Sequence, residues 1–293
     1  MILNISRAVS QKRHIQKKLL YKLNKFNYTL RWLALVVVKV ALVQLRSQKT
    51  RAESIEHAVK LLRKAGALEP DIACLPELWY PKAVNSFGQE FKSIIDIAKE
   101  QNMIIISGAF LERNNYNLFI ASPVISRDGK ILGRQFKIHP FGTQRDAVKS
   151  GTTMKMFDGG SFKFGIGICY DVVFPEVSRA LMRKGAEILF FPSKINKKGI
   201  EPWHMYVQVR ALENRIAVAA PNVCDDMCGG KSILVGFDYD KKTDIAVPKR
   251  VVGSINKQAL RLDIDLDLVR KIHEARLKDL KSNPLIATLA SDN

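Results

Sequence analysis

The first 37 residues contain neither aspartate nor glutamate, although they carry Arg7, Lys12, Arg13, Lys17, Lys18, Lys22, Lys25 and Arg31. These eight cations leave +11 of the formal net +19 for the rest of the 293-residue chain. Ile15, Leu19, Leu20, Leu23 and Phe26 are spaced as on a basic amphipathic helix. Three readings of this leader stand side by side. It is an arm for nucleic acid or an anionic membrane, an organelle-targeting peptide, or a loose appendage translated from too early a start codon. The first convincing element begins only at Val38, which favours the appendage and speaks against a nucleic-acid partner.

Cysteine is scarce: Cys74, Cys169, Cys224 and Cys228 are all there are. That excludes a disulfide-stapled module. With no recognisable secretory leader, the chain reads as a reduced, cytoplasmic protein. Long apolar runs are missing too. The stretch 30–45 is interrupted by Arg31 and Lys39 and falls short of the roughly 20 apolar residues a membrane span needs. No linker rich in Pro, Gly or Ser, no low-complexity segment and no fixed-period repeat lies between residues 38 and 280. The expected organisation is a basic extension (1–37), one domain (38–280) and a short tail (281–293). A composition that is 47% hydrophobic and 26% charged supplies a sizeable core.

What is present alternates. Residues 38–45 are short and β-branched, the pattern of a buried strand. Ile55, Ala58, Val59 and Leu62 then follow helical spacing, with Gly66 as the expected C-cap. Further strands are expected at 71–75, 103–107, 161–169, 187–191, 216–220, 232–237, 249–253 and 258–263. Helices are expected at 87–100, 175–184, 202–214 and 266–280. The turn Arg127-Asp128-Gly129 between 117–126 and 130–137 predicts a β-hairpin. Strands alternating with helices, plus hairpins, predict a layered α/β protein with mixed sheets.

Three strand ends carry chemistry. Gly165-Ile166-Gly167-Ile168-Cys169-Tyr170-Asp171 places a thiol at the carboxyl end of a strand, where open α/β sheets bind ligands. A lone cysteine there is more often a small buried hydrophobe, and as a nucleophile it needs a base or cation. Leu75-Pro76-Glu77-Leu78-Trp79 sets a carboxylate among apolar neighbours, an environment that suits a general acid or base. Lys137, at the end of the hairpin, is placed to stabilise an oxyanion or to be an ordinary surface lysine.

Taken together, Glu77, Lys137 and Cys169 in this order resemble the nitrilase superfamily, the carbon–nitrogen hydrolases with a Glu-Lys-Cys triad. The resemblance runs from about residue 38 to 280. It includes Gly133-Arg134 before Phe136-Lys137-Ile138-His139, Phe174-Pro175-Glu176, Arg210-Ala211-Leu212-Glu213-Asn214, and Gly229-Gly230-Lys231-Ser232 before Ile233. It implies a four-layer α-β-β-α sandwich and a homodimer or higher homo-oligomer. It also implies Cys169 as nucleophile, Glu77 as base and then acid, Lys137 as stabiliser of the tetrahedral intermediate, and no cofactor.

The amidase-like form Cys-Tyr-Asp favours a small aliphatic amide or ω-amide, cleaved through a thioester to acid and ammonia. N-carbamoyl compounds and nitriles remain as alternatives. Tyr170, His204 and Trp203 fall where the family lines its pocket, although Trp203 is equally at home in a core. One departure stands out: Gln144 occupies the place of the usual second Glu. If that group only orients its neighbours, activity survives; if it tunes protonation, the rate falls, and the extreme outcome is a non-catalytic ligand-binding member. Asp146, two residues on, is a candidate substitute.

Other motifs lead nowhere. Asp225 stands where a phosphate-binding loop before Lys231 would need its first glycine. Cys224 and Cys228 have no second Cys or His pair at zinc spacing, so no metal is expected, and they form a local redox pair or nothing.

Overall fold

The computed structural model describes residues 35–243 and 245–280. The expectations for the leader up to residue 34 and for the tail from residue 281 lie outside the described residues. The description below concerns the unit that starts at Val37.

The chain opens with β1 (Val37–Gln44) and α1 (Arg51–Gly66). Thr50 and Glu53 cap each other's backbone N–H groups at the start of α1, a capping box that sets where the helix begins. Ser54, Ala58, Leu61, Leu62 and Ala65 form its buried stripe. Gly66 is the last helical residue rather than the C-cap, which is Ala67. What it supplies is space: a Cβ there would lie 2.0 Å from the Gln101 side chain. Next come β2 (Ile72–Cys74), α2 (Phe87–Glu90) and α3 (Lys92–Glu100), so the single helix expected over 87–100 is broken at Phe91. Then follow β3 (Ile104–Ile106), β4 (Phe110–Asn114), β5 (Asn117–Ile125), β6 (Ile131–Phe136) and the one-turn α4 (Gln144–Ala147). The second half runs β7 (Met156–Asp158), β8 (Lys163–Ile166), α5 (Pro175–Arg183), β9 (Ile188–Phe190), α6 (Ile200–Asn214) and β10 (Ala217–Ala220). It closes with β11 (Ile233–Asp240), β12 (Ile245–Val252), β13 (Gln258–Asp265) and α7 (Leu266–Asp279).

Two mixed sheets result. One has seven strands in the order β13-β1-β2-β3-β5-β4, with β6 also on β5, and the other has six in the order β12-β11-β10-β9-β8-β7. Each has a parallel centre, β1-β2-β3 in the first and β8-β9-β10 in the second, with antiparallel strands outside. Side chains alternate across every strand. On β1, Ala41 and Val43 join a core with α1 and α3, and on β9 and β10, Leu189 and Val218 join one with α6. The other faces, with Val40, Leu42, Ile188 and Phe190, are buried as well. A sheet buried on both faces reads as a continuous apolar run, which is why these strands stand out in the sequence. Between the sheets, the buried Gln44 accepts from the N–H and hydroxyl of Ser232 at 2.8 Å each. The architecture is the expected α-β-β-α sandwich.

Candidate active site

β2 and β6 of the first sheet and β8 of the second release their chains toward one place. After β2, Leu75 and Pro76 lead to Glu77, whose N–H donates to Ser193 O at 3.1 Å, a loop residue that follows β9 in the other sheet. After β6, Lys137 N–H donates to Ile120 O at 2.9 Å, and after β8, Cys169 N–H donates to Pro192 O at 3.0 Å. The expectation that a strand runs up to Cys169 needs correction. β8 stops at Ile166, and Cys169 opens a 3-10 turn, Cys169–Val173. Its φ is +49°, the left-handed region that a non-glycine residue enters only when its surroundings force it. Gly167 makes the approach possible, since a Cβ there would lie 2.4 Å from the Phe191 ring.

The three predicted residues meet. Lys137 Nζ donates to Glu77 Oε1 at 2.6 Å, and both side chains are sealed from solvent. The Cys169 thiol is 8% exposed and lies close enough to Glu77 and Lys137 for both charges to act on it. Burial pushes that thiol up to about 12; the Glu77 charge adds to the rise, and the Lys137 ammonium opposes it. Cys169 is therefore a neutral thiol at pH 7. For Lys137, burial acts to lower the pKa, but the Glu77 charge and the other acidic groups around it raise the pKa above its ordinary value.

Gln144 also reaches the cluster. Its Oε1 accepts from Lys137 Nζ and from Phe141 N–H, both at 3.0 Å. Asp146 does not: it is exposed. One residue whose part in the site the sequence had not revealed is Asp171. Fully buried, it accepts from Ile168 N–H at 2.9 Å and Ile138 N–H at 3.3 Å on one oxygen. Its other oxygen takes His139 N–H at 2.8 Å and pairs with His139 Nδ1 at 2.9 Å. One carboxylate thus ties the lysine-bearing loop to the cysteine-bearing turn. Burial raises its pKa, and these same donors oppose the rise.

A pocket of about 280 Å³ opens above Cys169, walled by Tyr170, Val172, Val173, Ile195, Trp203 and Phe141, among others. Tyr170 and Trp203 both line it, and His204 does not. Its Nε2 meets Lys231 O at 2.7 Å, and the ring lines a separate surface hollow with Lys231 and Glu201. Successive helical residues point about 100° apart, so Trp203 and His204 cannot share a face of α6. Lys194 and Asn196, which reasoning from sequence missed, line the pocket because the bridge Ser193–Asn222 carries their loop past Cys169. A wider hollow of about 640 Å³ between α1 and α3 contains no cysteine. No described helix is long and apolar enough to cross a membrane.

Comparison with known proteins agrees with this arrangement. The ω-amidase NIT2 of Xenopus tropicalis is 25% identical over 257 residues, covering 80% of this chain and 91% of its own. Among solved structures, Saccharomyces cerevisiae Nit3, described as a member of branch 10 of the nitrilase superfamily, superposes with a TM-score of 0.71 at 22% identity, over 82% of this chain and 94% of its own. A carbon-nitrogen hydrolase from Helicobacter pylori G27 gives 0.72 at 21% identity, over 84% and 96%. The carbon-nitrogen hydrolase family profile matches residues 39–240, well over half of the sequence, and this chain therefore belongs to the carbon-nitrogen hydrolase family.

Proposed function

We propose that this enzyme hydrolyses a small linear amide, an aliphatic amide or an ω-amide, to a carboxylic acid and ammonia through a thioester on Cys169. The observation that carries this reading is the sealed Lys137–Glu77 pair at 2.6 Å with the buried Cys169 thiol within the field of both charges. A thiol held protonated up to about 12 is not a preformed thiolate. Its proton passes to Glu77 as Sγ attacks the amide carbonyl, which is general-base activation of a nucleophile.

The carbonyl oxygen becomes an oxyanion beside the Lys137 ammonium. The N–H of Tyr170 is the second donor, since backbone N–H groups in the first turn of a helix lack partners within it. Glu77 then gives its proton to the nitrogen, the C–N bond breaks, and ammonia leaves. In the second half, Glu77 takes a proton from water, whose oxygen attacks the thioester carbonyl. The C–S bond breaks, and the proton on Glu77 returns to sulfur. Amide and water go in, acid and ammonia come out, and no cofactor is consumed.

Gln144 supports turnover rather than a purely ligand-binding role. Its carbonyl still accepts from Lys137, so the ammonium keeps a second anchor at its position without a second charge. The test is incubation of the purified protein with amides, N-carbamoyl compounds and nitriles, followed by intact and peptide mass spectrometry. An acyl adduct on Cys169 with ammonia release is expected, and Cys169→Ala should lose both by at least about 10⁴-fold. A folded protein with a free Cys169 thiol, no adduct and no ammonia would sink the reading.

A further inference from the structure

We infer that Lys194 sets the specificity of this site: its ammonium receives a carboxylate that the substrate carries away from the carbonyl attacked by Cys169. This rests on the acyl-enzyme reading above and names the group that tells one substrate from another.

The lysine is fixed beside the nucleophile by its chain neighbours. Cys169 N–H donates to Pro192 O at 3.0 Å, Glu77 N–H to Ser193 O at 3.1 Å, and Ser193 N–H to Pro221 O at 3.0 Å. On the other side, Ile195 N–H donates to Asn222 Oδ1 at 2.8 Å. Lys194 itself is half-buried and lines the pocket of about 280 Å³ above the thiol. The wall around it is mainly apolar, with Val172, Val173, Ile195 and Trp203, and no Asp or Glu belongs to it. In such surroundings a single charge acts more strongly than in water.

Lys194 differs from the other cations nearby in its spare capacity. Lys137 is held by Glu77 and Gln144. Arg210, behind the two valines, donates to Val172 O at 2.8 Å, to Val173 O at 2.9 Å and to Glu213 Oε1 at 2.6 Å. Lys194 Nζ has one polar contact, Leu78 O at 3.4 Å, and no ion pair among the described residues. An ammonium carries three N–H donors, so two remain for a ligand. Its charge is felt by Asp225. Burial acts to raise that carboxyl, yet the N–H groups of Cys228 and Met227 together with Lys194 hold it below its ordinary value. Those two N–H groups occupy Asp225 Oδ1 at 2.8 and 3.0 Å, and the ammonium stays outside ion-pair distance.

Trp203 adds a neutral donor to the same wall, since its buried indole N–H has no partner among the described residues. An acceptor brought by a ligand relieves the cost of leaving such a group unpaired. The volume lies at the small end for ligand pockets, which keeps the chain between carbonyl and carboxylate short. The carboxylate then sits on the acyl side, as in succinamate and glutaramate, or on the amine side, as in 3-ureidopropanoate.

The experiment measures kcat and KM of the full chain for these three substrates and for uncharged butanamide, reading ammonia release and the acyl mass on Cys169. It is repeated on Lys194→Met and Lys194→Arg. The unaltered protein should favour at least one carboxylate-bearing substrate over butanamide by about tenfold in kcat/KM. Lys194→Met keeps the length of the side chain and removes its charge. The preference should then fall about thirtyfold, chiefly through KM, and Lys194→Arg should retain most of it. A succinyl or glutaryl mass on Cys169 with that dependence upholds the inference with the carboxylate on the acyl side, and a carbamoyl mass upholds it on the amine side. Butanamide ahead of all three, or a preference for the carboxylate that Lys194→Met leaves unchanged, overturns the inference and leaves the acyl-enzyme reading standing. Absence of ammonia and of acyl mass with every substrate takes down that reading and the inference with it.

Discussion

On the side of Cys169 that faces Lys137, the neighbours are charged or polar groups, each held by another: Lys137 by Glu77 and Gln144, and Asp171 by the backbone of two loops. On the side that faces Trp203, the walls are mainly aliphatic and aromatic, with Lys194 the one charged residue among them. The contrast teaches how the site divides its work. The groups assigned to bond making are held rigidly by mutual hydrogen bonds in a water-poor place, where a fixed dipole or charge acts strongly. The apolar walls contact a ligand through shape, which leaves them easy to alter without disturbing the polar cluster.

The largest break in that contrast is Lys137→Met, which removes the cation and leaves the Glu77 carboxylate buried without its partner. kcat for butanamide should fall by about 10³-fold, and the melting temperature should drop as well, because an orphaned buried charge costs about 3–5 kcal/mol. A variant within tenfold of the parent would remove Lys137 from the reaction. Asp171→Asn is the next test. It keeps the size of the side chain but turns two of four acceptor sites into donors that face N–H groups. Loosening the tie between the two loops should lower kcat by about a hundredfold with little change in KM. Equal losses in kcat/KM and in stability, reversed together at low temperature, would reduce Asp171 to a purely structural part.

Gln144→Glu should have the smallest effect and the clearest sign. An acid whose pKa is raised keeps its proton to higher pH, so with Cys169 up to about 12, alkylation by iodoacetamide should quicken about tenfold per pH unit from roughly pH 7 to 10. A carboxylate at position 144 places another negative charge by the thiol, pushes it further up, and slows alkylation at every pH in that range. Coincident rates for the two proteins would mean that Cys169 does not feel position 144.

Much of the frame was legible because its signals are local. Buried parallel strands such as β1 and β9 are rich in apolar, β-branched residues, and α1 carries its apolar stripe within 16 residues. The strands that escaped notice have no such pattern. β4 holds Phe110 and Leu111 and then Glu112-Arg113-Asn114, and Glu112 is buried only because Arg134, on β6, pairs with it at 2.6 Å. β7 is three residues long, too short for any period to show. At the site, Glu77, Lys137 and Cys169 were readable as residue types in an order, whereas His204 was misplaced because adjacency in sequence does not carry the direction of a helical side chain.

By itself, then, the sequence determined the alternation of strands and helices, the family and the three groups that stand at its loop ends, because each depends on neighbours a few positions away. Only the tertiary structure decided that Lys137 meets Glu77 across 60 residues, that Asp171 joins two loops from 32 and 33 residues away, and that Arg210 is bound to Val172 O, Val173 O and Glu213 behind the pocket wall. A charge acts through distance and burial, and neither quantity exists until the chain has folded.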